Sequence, residues 1–173
     1  RIKLPSKGLV SGLKISLAGV TYDAVVADKK MKITLRADIT ARGDGWAVLP
    51  MDISGMAVTT ATLNGKPAGL QVGPKGMVLA VKAPVSGKFV LTGQATPKYV
   101  GSKGGVYLSL PLLPLAVMKV RLDDADLELE APGIDGVLTS RKINTGVEWT
   151  VPLGSARKVV LRCVATFSCT GGT

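Results

Sequence analysis

The chain has no histidine. That absence removes the commonest general base and the commonest metal ligand together. Ser-His-Asp and Cys-His arrangements, and zinc sites that use histidine, are therefore excluded within these 173 residues. Aromatic side chains are also scarce: two Trp, three Tyr and two Phe, so the core must come mainly from Val, Leu, Ile and Ala. There are two cysteines and no C-x-x-C, which argues against a dithiol redox catalyst. No glycine-rich phosphate loop is present. The most apolar stretch, LPLLPLAVM at 110–118, is broken by Pro111 and Pro114 and falls far short of the roughly 20 residues a spanning helix needs, so no membrane-spanning segment is expected. No signal peptide is visible either, and the chain opens at Arg1 like an excised piece of a longer protein.

What remains is a hydrophobic, basic chain. Hydrophobic residues make 46% of it, too many for disorder, and 21 glycines and 10 prolines punctuate the apolar segments. Lysine and arginine number 22 against 12 acids, for a net charge of +10. The cations are spread along the whole length, with no arginine-rich arm or zinc motif, so specific nucleic-acid binding is not expected. Anionic lipid and an anionic polysaccharide are the other partner classes such a charge would suit; a solvated surface explains it equally.

Periodicity reads as strand throughout. In KKMKITLRADITA (29–41), Met31, Ile33, Leu35, Ala37 and Ile39 fall on one side and Lys30, Lys32, Thr34, Arg36, Asp38 and Thr40 on the other, a separation a strand makes and a helix cannot. A turn is expected at RGDG (42–45), followed by a strand with Trp46 and Val48 inward. Asn64-Gly65 predicts a tight hairpin. The segment 76–97 reads as strand, P-V-S-G turn, strand, with Phe89 and Leu91 inward. Later inward sets are Val106, Leu108 and Leu110; Met118, Val120 and Leu122; Leu127 and Leu129; Val147, Trp149 and Val151; and Val159, Leu161, Cys163, Ala165 and Phe167. Strands at such spacing predict an all-β fold: an antiparallel β-sandwich of roughly ten strands with no major helix. One domain over 1–173 is expected, with a pseudo-boundary near 100–105.

Candidate site residues each have a plainer role. Trp46 and Trp149 have the chemistry of sugar-stacking platforms, and Lys30, Lys32 and Arg36 share a strand face as a separate candidate patch for an anionic surface. Packed tryptophans and edge-protecting lysines explain the same residues. Asp123, Asp124 and Asp126 form DDAD at a predicted turn, a candidate for a hard cation, although no glycine-containing calcium loop accompanies it. Asp126, Glu128 and Glu130 share one strand face about 6–7 Å apart, where cross-strand basic partners are the ordinary reading. Cys163 and Cys169 would lie about 20 Å apart on a straight strand. A disulfide between them requires the chain to turn after Phe167, and would point to an oxidising compartment.

Four pieces of turn-and-strand grammar occur in order: W-x-x-L-P at 46–50, G-x-P-A at 65–68, P-x-x-G-x-F-x-L at 84–91 and LPLLP at 110–114. Over roughly residues 20–135 this grammar resembles β-sandwich modules of large bacterial cell-envelope proteins. The resemblance carries no catalytic residues. It implies a non-catalytic structural or protein-interaction module without cofactor, extracytoplasmic in the periplasm or at the cell surface. Its partners would be other domains of the parent or an envelope protein, with carbohydrate or envelope-polymer binding as the alternative.

Overall fold

Alternation turns the sequence into strands with little else. The computed structural model describes residues 14–165 apart from 75, 101–102 and 112–115. β1 (Lys14–Ala27) turns through Asp28 and Lys29 into β2 (Lys30–Met51). Along β2, Met31, Ile33, Leu35, Ala37, Ile39 and Ala41 are buried while the residues between them are half-buried or exposed. β3 (Ala57–Leu63) and β4 (Lys66–Pro67) form the Asn64-Gly65 hairpin, both turn residues holding positive φ. β5 (Gly69–Gly73), β6 (Gly76–Ala95), β7 (Lys98–Val100) and β8 (Lys103–Ser109) follow. The chain ends in β9 (Ala116–Leu122), β10 (Leu127–Glu130), β11 (Thr139–Ile143), β12 (Gly146–Gly154) and β13 (Lys158–Ala165). The described residues contain no helix.

Nine strands make one sheet in the order β11-β12-β9-β1-β2-β6-β3-β4, with β5 also paired to β6; β10-β13-β8-β7 make the second. The expected all-β sandwich is present, and its ladders are antiparallel except β1–β9, which is parallel. Leu35, Phe89, Leu91 and Met118 of the large sheet join Val106, Leu108, Val159 and Leu161 of the small one in a single core. The sheets are also tied by the loop after β2: Ser54 and Ser109 exchange backbone hydrogen bonds of 3.1 and 3.0 Å. Gly55, at φ +85°, makes that approach possible, since a Cβ there would lie 1.9 Å from the Tyr107 carbonyl oxygen.

The two expected turns, RGDG and P-V-S-G, are not turns. β2 and β6 run straight through them, paired first as Ala41↔Val85 and then as Gly45↔Ala83, so Arg42, Gly43 and Asp44 bulge opposite Pro84 alone. Proline has no N–H to give the ladder, and the glycine-flanked bulge carries the partner strand past it. The inward assignment of Trp46 and Val48 is overturned by the same bulge. Two extra residues leave the side-chain phase unchanged, so Ala47 and Met51 continue the buried series of β2, while Trp46 and Val48 are half-buried on the opposite side.

Candidate functional site

On the outer face of the large sheet, Lys30, Lys32 and Arg36 stand on β2 as expected, all exposed. Arg36 is not free: its Nη1 donates to Asp23 Oδ2 on β1. Two residues further, Asp38 takes a 2.8 Å bond from Lys88 Nζ on β6. Lys30 and Lys32 carry no ion pair among the described residues. Trp46 lies ten residues beyond Arg36, roughly 30 Å along the strand, next to Lys82 in the β2–β6 register. Trp149 is elsewhere again, on the inward side of β12, packed against the core with its indole Nε1 buried and unpartnered. The five candidate ligand-binding residues therefore do not converge on one surface.

The DDAD segment does form a turn between β9 and β10. Asp124 Oδ1 accepts the Asp126 N–H at 2.9 Å, an Asx turn that gives this carboxylate a structural task. Glu128 and Glu130 are exposed on β10, opposite Val164 and Arg162 of β13. Among the described residues no group of three or more His, Cys, Asp or Glu is arranged to hold a metal ion. Cys163 is exposed, not inward-packed as expected: it keeps the phase of Val159 and Leu161 but lies towards one end of the sandwich, where the core no longer covers it. Cys169, and with it the predicted disulfide, lies outside the described residues, as does Phe167.

The best-connected charged cluster was not anticipated. Glu148 is the one buried charged residue among those described, 4% exposed, and sits between Arg141 and Arg121 in the three-strand register β11-β12-β9. Arg121 Nε donates to Glu148 Oε2 at 3.1 Å and Arg141 Nε to Oε1 at 2.9 Å. Burial alone would raise the Glu148 carboxyl, but the two arginine hydrogen bonds, with the Arg141 and Lys119 charges, hold it below the usual carboxylate range. The signal lay in the hairpin: a turn centred on Asn144-Thr145 sets Arg141 opposite Glu148 automatically. An ion triplet of this kind orders strands and offers no group free for acid–base chemistry.

Two recesses border some of these residues. One, of about 290 Å³, opens between the sheets at the β1–β2 hairpin and is lined by Val26, Lys29, Lys30, Met31, Leu161 and Cys163 among others. The other, about 280 Å³, lies beside Trp149 with Glu128, Arg141 and Lys142 on its wall. Because the indole nitrogen is buried, the polar edge of Trp149 is not offered to a ligand there.

No family model matches the chain, and no curated protein matches it by sequence. Solved structures do. An M1 zinc metallopeptidase mutant from Deinococcus radiodurans, bound to a Tyr-Ser-Ala substrate, superposes with a TM-score of 0.54 at 15% identity, covering 86% of this chain and 42% of that chain. A two-domain M1 zinc metallopeptidase mutant bound to L-tryptophan gives 0.53 at 16% identity with the same coverage. Native leukotriene A4 hydrolase from Saccharomyces cerevisiae gives 0.52 at 11% identity, with 86% of this chain and 29% of that chain. The likeness is one of fold. This chain spans less than half the length of each of these proteins, and with no histidine it carries no histidine-containing zinc site of its own.

Proposed function

We propose that this chain is a non-catalytic structural or protein-interaction domain of a larger, multidomain protein. The observation that carries the reading is the asymmetry of coverage: 86% of this chain superposes on 42% of a protein described as two-domain. The described residues add nothing that contradicts it. Their charged clusters are ion pairs across strands, and their one buried carboxylate is neutralised by arginines. Its partners are then the remaining domains of the parent protein, and the sequence grammar of 46–50, 65–68, 84–91 and 110–114 favours a bacterial envelope setting outside the cytoplasm. Carbohydrate binding has weaker support, because Trp46 and Trp149 lie on different strands and faces. The test is hydrolysis of a panel of aminoacyl p-nitroanilides by the purified chain, with and without added zinc. No turnover above buffer is expected; turnover that co-elutes with the protein through two columns overturns the reading.

A further inference from the structure

The recess between the sheets combines three features found together nowhere else among the described residues. Its walls are apolar, supplied by Val26, Met31, Val106 and Leu161 from both sheets. An exposed lysine of the β1–β2 turn, Lys29, lines it and has no ion pair, the adjacent Asp28 included. Finally, Lys29 is placed by a turn in which both Asp28 and Lys29 hold left-handed backbone, φ 51° and 59°, without glycine. Such a conformation is uncommon for lysine and costs free energy, so the surrounding hairpin is what maintains it. The Cys163 side chain borders the same space. Although the residue is exposed, partial desolvation pushes its thiol above the usual range.

We propose that this recess is a binding site for a small anionic amphiphile, an aliphatic monocarboxylate whose hydrocarbon part enters between the sheets while its carboxylate meets Lys29 at the β1–β2 turn. A volume of about 290 Å³ is at the lower limit of ligand sites, so the occupant is a short chain rather than a full lipid. Charge complementarity selects the head: the unpaired Lys29 ammonium beside an apolar cavity favours an anion over a neutral or cationic group. This site does not depend on the domain being non-catalytic.

Cys163 provides the readout. In a Cys169→Ser chain, the rate of Cys163 alkylation by iodoacetamide is measured with sodium octanoate, with 1-octanol and with sodium acetate, all at one ionic strength. Octanoate is expected to slow alkylation in a saturable way, octanol and acetate much less. Lys29→Gln should weaken the octanoate effect, by up to about fivefold, the upper range for exposed charge pairs. Calorimetric titration of the unsubstituted chain with octanoate gives a second readout that does not rely on the thiol. Equal protection by acetate would show ionic attraction alone, and equal protection by octanol an apolar recess blind to charge; either result overturns the proposal, as does the absence of octanoate binding in both measurements.

Discussion

Gly87 has room for a hydrogen and nothing larger: a Cβ built there would lie 1.9 Å from Asn64 Oδ1. Asn64 serves two purposes. Its backbone, at φ 52°, makes the β3–β4 turn, while its side chain reaches across to β6, where Oδ1 accepts the Lys88 N–H at 3.0 Å and Nδ2 donates to the Ser86 carbonyl at 3.3 Å. The amide thus continues the β3–β6 ladder by one step beyond the end of β3. Gly87→Ala should evict it and destabilise the domain by about 1–3 kcal/mol, the range for orphaned backbone and amide groups. Asn64→Gly preserves the left-handed turn and removes the amide. In that background Gly87→Ala should cost little, so urea unfolding of the four proteins should show strong non-additivity. Independent, additive costs would refute the coupling. The turn itself was legible from Asn64-Gly65; its docking on Gly87 was not, because that depends on which strand lies alongside.

Three adjacent strands share one carboxylate, and this makes Glu148 the residue through which pH acts on β11, β12 and β9. Its native pKa is lowered from the ordinary value of 4.5, with arginine hydrogen bonds overcoming the opposing effect of burial. A group depressed in the folded state stabilises it fully above the unfolded-state value and loses that contribution as pH falls through the native one. The stability difference between the wild-type chain and Glu148→Gln should therefore be constant near neutrality, about 1–3 kcal/mol in favour of the wild type. It should shrink as the pH drops below 4.5. Denaturant unfolding at pH 7 and at successively lower pH checks this; a difference that grows towards acid would contradict it. At this scale the sequence was readable where alternation is strict, as in Met31 to Ala41 and Met118 to Leu122, since a half-buried strand needs only period two. It was misleading at RGDG and P-V-S-G, because glycine and proline mark bulges in long strands with the same residues that mark turns. The alternation of Val147, Trp149 and Val151 does not reveal that Glu148 is buried, because burial of a charge depends on its neighbours across the sheet, which local periodicity does not report.

At the scale of the molecule, the point that sequence left most open is whether residues 100–105 divide anything. The parallel β1–β9 ladder sets strands from either side of that segment next to each other, and the small sheet pairs β7, which ends at Val100, with β8, which begins at Lys103, and adds β10 and β13 from after the segment. The single core draws Phe89, Leu91 and Leu35 from the first part and Met118, Val159 and Leu161 from the second. Separating the parts would leave β1 as a bare edge and would uncover the inner faces of β2 and β6, on a fragment of about a hundred residues that already buries a smaller fraction of its surface than the whole. Fragments 1–102 and 103–173 are therefore each expected to lack fixed tertiary structure and to regain it when mixed in equal amounts. Each contains one tryptophan, Trp46 in the first and Trp149 in the second, so near-ultraviolet circular dichroism and emission maxima report on the two parts separately. Native-like spectra and cooperative urea unfolding from 1–102 alone would mean that the first part is a domain in its own right. Recovery only on mixing would mean that the core is common property and that both parts belong to one sandwich.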